Sequence, residues 1–328
     1  MDIAITGATG LIGTALGQSL TGDGHTVIPV VRRPVVDGER AARWDPAAGT
    51  IDVAALDGVD AVVHLAGAGI GDKRWTEERK REILDSRIRG TALLADSLAA
   101  LDRRPAVLIS GSAIGYYGDR DDEVLTERSG PGDDILASIC VPWEAAAAPV
   151  TEAGIRLATI RTGVVLSPDG GALAKMVPLF KLGLGGRFGS GKQWWSWISL
   201  ADEIAAIRFL VDHDISGPVN LTAPGATTNA EFSRVLAHVL HRPAVLAVPA
   251  FGPKLVVGAE LAQALLFTSA RVTPGALVAA GFRFAHPDLE GALRATLGRP
   301  TSSGRPLSPD KLSPARGTKV PTARRVGR

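Results

Sequence analysis

The feature that most constrains this chain is a glycine-rich octapeptide near its start, Thr6-Gly7-Ala8-Thr9-Gly10-Leu11-Ile12-Gly13. It follows the apolar run Ile3-Ala4-Ile5 at once. It also opens a stretch over 10–21 in which Leu11, Ala15, Leu16 and Leu20 recur at helical spacing. Strand, tight glycine turn and helix, in that order, form the first unit of a parallel α/β sheet and a seat for a pyrophosphate. Gly7 serves the turn, Gly10 lets backbone approach the phosphates, and Gly13 lets the helix pack closely on the strand. The helix amino terminus adds unpaired N–H groups and partial positive charge. Gly7, Thr9, Gly10, Leu11, Ile12 and Gly13 are therefore candidate cofactor contacts.

The alternation continues. Strands are expected over 26–31, 61–66, 106–110 and 157–161, and helices over 76–100 and 135–151. Thr76, followed by Glu77 and Glu78, is a candidate N-cap. Pro142 should interrupt or start the helix around it. From 167 to 199 the character changes to dense glycine with Trp194, Trp195 and Trp197, after which a strand over 218–221 is expected to return to the main sheet. A helix is expected over 229–240. The fold class is α/β, a Rossmann-type doubly wound parallel sheet with a smaller C-terminal substrate-binding region. Three segments are expected: a dinucleotide-binding domain over 1–166, the substrate region over 167–298, and a tail over 299–328.

The end of the second strand bears on the choice of nucleotide. NAD sites place an acid there for the ribose 2′-hydroxyl. This chain has Arg32 and Arg33, with no acid before Asp37. Guanidinium groups favour a 2′-phosphate, so NADP is the expected cofactor.

Composition excludes several classes. With 45% hydrophobic and 21% charged residues, the chain has enough apolar material for a core. One cysteine, Cys140, allows no internal disulfide and fits a reducing compartment. The apolar stretch over 244–267 is broken by Pro249, Pro253, Lys254 and Glu260, so no membrane partner is expected. No signal peptide is read at the start, and the expected location is cytoplasmic. The tail has eight Lys and Arg against Asp310, a charge of +7, which leaves −5 on residues 1–298. A body of that charge is not a nucleic-acid binder, so nucleic acid is expected at most weakly through the basic tail, which is read as disordered.

Several words resemble a known family. They include Trp44-Asp45-Pro46, His64-Leu65-Ala66-Gly67, Lys73 to Glu78, Gly115 to Asp119, Trp143 to Ala146 and Ser196-Trp197-Ile198. With the glycine spacing they are similar to the extended short-chain dehydrogenases/reductases, the NAD(P)-dependent epimerase/dehydratase family. Within it they resemble an atypical branch once labelled cell-division inhibitors, with a C-terminal domain of unknown function. The resemblance spans about 1–298. It implies further cofactor contacts at Leu65, Ala66 and Gly67, at Glu82 and Arg87 on the long helix, and at Val165 near the nicotinamide.

One departure bears on the chemistry. Active members of the superfamily use a Ser or Thr and then Tyr-x-x-x-Lys, whose Tyr moves a proton and whose Lys lowers the Tyr pKa. The Ser position falls on Ser112, with Ser110 as a rival, but the Tyr-x-x-x-Lys position reads Cys140-Val141-Pro142-Trp143-Glu144. Tyr116 and Tyr117, the only tyrosines, could supply the phenol, and Ser112 with Tyr116 are the catalytic candidates. Cys140 is read as a buried, inert thiol rather than a nucleophile. The three tryptophans could wall a substrate pocket, form a homodimer face or pack in the core. Arg161 and Lys192 could hold a substrate anion. His238 and His241 lack the further ligands a metal site needs, so no metal is assigned. The expected function is that of an NADP-dependent oxidoreductase or epimerase acting on an unidentified small molecule. The alternative is a non-catalytic NADP-binding sensor or interaction protein.

Overall fold

Ile3, Ala4 and Ile5 put apolar side chains on both faces of one strand, an arrangement suited to the middle of a sheet covered on both sides. The computed structural model, which describes residues 1–243 and 246–299, places it there. The strands as far as residue 221 are β1 (Asp2–Thr6), β2 (Thr26–Val31), β3 (Ala42–Asp45), β4 (Thr50–Ile51), β5 (Ala61–His64), β6 (Val107–Ala113), β7 (Val124–Leu125), β8 (Arg156–Thr162), β9 (Val164–Leu166), β10 (Gly186–Phe188), β11 (Trp194–Trp195), β12 (Trp197–Ser199) and β13 (Gly217–Leu221). Eight of them form one sheet in the order β13-β8-β6-β5-β1-β2-β3-β4, parallel except for the β3–β4 edge pair. The chain leaves β1 toward β2 and comes back on the other side at β5. A crevice therefore opens at the carboxyl end of β1, where doubly wound sheets bind ligands.

The α-helices as far as residue 240 are α1 (Leu11–Gly22), α2 (Glu77–Ala99), α3 (Ile135–Ala145), α4 (Ala148–Glu152), α5 (Gly171–Lys181), α6 (Leu200–Asp212) and α7 (Asn229–Leu240). Leu16 and Leu20 of α1 and Ile204, Ile207 and Leu210 of α6 pack on Ile3, Ile5, Val63, Ile109 and Ile160, closing one face. Leu94 and Leu98 of α2 and Val150 of α4 pack on Ala4, Val62 and Leu108, closing the other. Burial of this kind contributes about 1.5–3 kcal/mol per large aliphatic side chain. A third core joins Leu173, Trp195, Trp197, Phe232, Leu236 and Leu293 below the C-terminal half. Trp195 and Trp197 are thus core residues, while half-buried Trp194 stacks on Arg271 at 4.3 Å.

One expectation needs revision and one helix lay outside the expectations. The stretch 135–151 is two helices broken at 146–147, and Pro142 lies inside the first instead of bounding it. That helix starts at Asp134, whose carboxylate accepts from Ala137 N at 2.9 Å. Helix α6 was not foreseen, although Ser199-x-x-Asp202 announces it: the Ser199 hydroxyl accepts from Asp202 N at 3.0 Å. Thr76 caps α2 as expected, accepting from Arg79 N at 3.1 Å. Although both follow residue 166, α6 packs on the large sheet and β13 is one of its strands, so the second region is interrupted by a return to the first. Apart from Arg299, the basic tail lies outside the described residues.

Candidate dinucleotide and acid–base site

The glycine loop is shaped by what it cannot contain. Gly7 sits at φ +68°, and a Cβ on it would come 2.9 Å from the Leu65 carbonyl. A Cβ on Gly13 would come 2.2 Å from Gly7 O, so α1 rests on the turn with no room for a methyl group. Gly10 is the N-cap of α1 and supplies no capping side chain. The first-turn amides of Leu11, Ile12 and Gly13 therefore have no intrahelical acceptor. Thr9 and Gly10 are exposed at the mouth of the crevice. The cradle fits a pyrophosphate in both shape and charge.

Leu65, Ala66 and Gly67 run beside this loop. Thr6 Oγ1 accepts from Leu65 N at 3.1 Å and Ala66 N at 3.2 Å, and its own hydroxyl meets His64 Nδ1 at 2.7 Å. With those acceptances made, the Thr6 proton is the one left for Nδ1, so His64 carries hydrogen on Nε2 and donates to Thr91 Oγ1 at 3.0 Å. Trp143 Nε1 donates to the same hydroxyl at 3.0 Å. Burial, with a contribution from the Arg87 charge, pushes His64 down to about 4, so it stays neutral. Arg87 lies below the loop, donating to Ala68 O at 2.9 Å and stacking on Trp143 at 4.8 Å. Burial pushes its pKa down. Val165 O and Leu11 both border Gly171 at the start of α5. Glu82 stands apart from this group, exposed and paired with Arg79 at 2.6 Å.

The second cluster lies at the carboxyl ends of β6 and β8, whose register sets Ser112 opposite Arg161. Ser112 Oγ donates to Glu144 Oε1 at 2.6 Å. Arg161 grips the same carboxylate with Nε and Nη2, both at 2.8 Å. Its Nη1 donates to the Tyr117 hydroxyl at 3.0 Å, and Tyr117 donates to Asn220 Oδ1 at 2.6 Å. Burial alone would depress the Arg161 pKa, but its bonds to Glu144 and Tyr117 outweigh that and push it up. Arg161 is therefore an internal counter-ion and not an exposed anion hook, whereas Lys192 is exposed. Tyr117 is fully buried, and burial raises its phenol pKa. Tyr116 lays its half-buried ring 3.4 Å from the Arg161 guanidinium, and its hydroxyl has no partner among the described residues.

Cys140 is buried, with burial and then the Glu144 charge pushing its thiol up to about 12, consistent with an inert thiol. Sequence reasoning noted Glu144 only as the wrong residue in the lysine position. It missed that Arg161, seventeen residues on, neutralises it. The rival Ser110 is fully buried, and its hydroxyl has no partner among the described residues. A concavity of about 450 Å³ lined by Asp60, Arg103 and Arg104 opens at the opposite, amino-terminal edge of the sheet, and its arginines are already engaged with Asp57 and Ala153.

Over residues 3–222 the chain matches the NAD dependent epimerase/dehydratase family, and over 248–296 a domain of unknown function, DUF1731. The chain belongs to the NAD dependent epimerase/dehydratase family. An epimerase family protein of Mycobacterium bovis is 44% identical over 299 residues, covering 91% of this chain and 98% of the relative. The crystal structure of human epimerase family protein SDR39U1 (isoform 2) with NADPH matches with a TM-score of 0.83 at 33% identity, covering 91% of this chain and 99% of that one. A nucleoside-diphosphate sugar epimerase structure from Corynebacterium glutamicum matches at 0.74 and 39% identity, covering 91% of this chain and 58% of that one. For a member of this epimerase/dehydratase family, the pairing of Ser112 with Glu144 and Arg161, where Tyr and Lys are expected, is the feature that needs a chemical explanation. No helix among the described residues is long and apolar enough to cross a membrane.

Proposed function

We propose that the protein is an NADP(H)-dependent oxidoreductase or epimerase acting on a small molecule, with Ser112 and Tyr116 as its acid–base groups. The observation that carries this reading is the Ser112–Glu144 hydrogen bond at 2.6 Å, backed by the Arg161 fork. It supplies a proton acceptor without a Tyr-x-x-x-Lys pair. A substrate hydroxyl against Ser112 Oγ gives that oxygen its proton as the Ser112 proton moves to Glu144 Oε1, and the reverse passage returns it. Tyr116, with an uncommitted hydroxyl, can hold or donate to the same substrate oxygen. NADP(H), when bound, supplies the hydride chemistry. Support for NADP(H) comes from the arginines after β2 and from the NADPH named with the human relative. The glycine loop and the Leu65–Gly67 segment would hold it, with Val165 toward the nicotinamide. The single cysteine supports a reducing, cytoplasmic setting.

The second reading, a non-catalytic NADP-binding sensor or interaction protein, has one observation in its favour: Cys140 and Glu144 stand where the resemblance expects Tyr and Lys. The decisive experiment identifies small molecules that co-purify with the protein by mass analysis, then follows single-turnover NADPH oxidation with the one found. Ser112→Ala and Tyr116→Phe should each slow oxidation by about 10²-fold while leaving NADPH binding intact. Wild-type rates in both variants would favour the sensor.

A further inference from the structure

The two arginines after β2 differ in what they are free to do. Arg32 is exposed and makes no hydrogen bond or ion pair among the described residues. Arg33 is also exposed, but its guanidinium is taken: Nη1 donates to Glu39 Oε2 at 2.8 Å and to Pro34 O at 2.9 Å, and Nη2 donates to Glu39 Oε1. Glu39 Oε2 also accepts from Val36 N at 3.2 Å, and Glu39 N donates to Val36 O at 2.9 Å, so residues 33–39 close into a ring. The Arg33 bonds, with Val36 N, hold the Glu39 carboxyl down at about 2, so it is anionic at every physiological pH. Of the five guanidinium N–H groups of Arg33, three are spent, and its net charge is cancelled by its partner.

We propose that Glu39 is a specificity-determining residue that restrains the preference for NADPH over NADH. By neutralising Arg33 it leaves Arg32 as the net cation facing a 2′-phosphate. The proposal rests on the NADP(H) reading above. Neutralising Glu39 frees a second cation for the phosphate dianion. NADH presents only a hydroxyl there and is affected little.

The test is calorimetric titration of NADPH and of NADH into the full chain, with no turnover needed. Glu39→Gln should tighten NADPH by about fivefold at low salt, less at high salt, with NADH within about twofold. Arg32→Ala should weaken NADPH by about tenfold or more, and Arg33→Ala by clearly less. In the Arg33→Ala background, which unmasks the Glu39 carboxylate, Glu39→Gln should return NADPH affinity to about the wild-type value and no further, which separates charge release from a general disturbance of the loop. An unchanged or weaker NADPH affinity in Glu39→Gln, or equal tightening of both nucleotides, overturns the proposal while leaving the NADP(H) reading in place. Equal wild-type affinity for the two nucleotides, untouched by either arginine variant, overturns both.

Discussion

The two halves of the crevice are built on opposite principles. At the carboxyl end of β1 the site is backbone: glycines, first-turn amides and a carbonyl 2.2 Å from where a Gly13 methyl would sit. At the ends of β6 and β8 it is side chains, with Ser112, Glu144, Arg161, Tyr117 and Asn220 drawn from separate elements into one hydrogen-bonded chain. A backbone site is damaged by adding an atom. A side-chain site is damaged by removing one, because the partners stay behind buried and unsatisfied.

That contrast predicts the order of effects. The largest loss of stability should come from Arg161→Met, which strands the mostly buried Glu144 carboxylate beside Ser112. Breaking such a pair costs about 3–5 kcal/mol, measured by urea unfolding. Arg161→Met combined with Glu144→Gln should recover much of it. A single-variant loss under about 1 kcal/mol would show that the pair is solvated and the cluster is not a side-chain site of this kind.

Next comes Gly13→Ala, expected to cost about 1–3 kcal/mol of stability by overpacking and to abolish measurable dinucleotide binding. The control lies one turn along the same helix. A Cβ on Gly17 meets nothing within 4 Å, so Gly17→Ala should stabilise the protein by about 0.4–1 kcal/mol and leave binding unchanged. If both alanines behave alike, the cradle is not defined by close approach.

Glu203 sharpens the comparison from the side-chain end. It is fully buried, Oε1 accepts from the Thr162 hydroxyl at 2.9 Å, and Oε2 has no partner among the described residues. Burial pushes its pKa up to about 8, well above the ordinary 4.5 of a glutamate carboxyl. The folded state therefore keeps this proton while the unfolded chain loses it, so stability should fall as pH rises from about 4.5 to about 8 and level off above. The slope from this group is at most about 1.4 kcal/mol per pH unit. Thermal melting across that range should show the decline, and Glu203→Gln should flatten it. Identical slopes in the two proteins would mean Glu203 is solvated or ionised in the fold.

The comparison also separates what could be read from the sequence and why. Gly7, Gly10 and Gly13, the Thr76 cap and the helix Asn229–Leu240 depend on neighbours within a few residues, and each was legible. Helix α6 carried a readable cap at Ser199 and was overlooked behind the glycine and tryptophan run. The break after Ala145 was not legible, because the proline inside the helix drew attention to the wrong place.

The sequence by itself determined a doubly wound α/β chain with a dinucleotide loop and two arginines after its second strand, because strand, turn and helix signals are local and glycine has few substitutes where backbone must approach backbone. The tertiary structure alone decided what the charged residues do. Parallel register put Arg161 opposite Ser112 and within reach of Glu144, turning a presumed anion hook into an internal counter-ion. The fold of the 33–39 turn gave Arg33 to Glu39 and left Arg32 without a partner among the described residues. A charge acts over a few ångströms in any direction, and which residues come that close is set by register and packing, not by spacing along the chain.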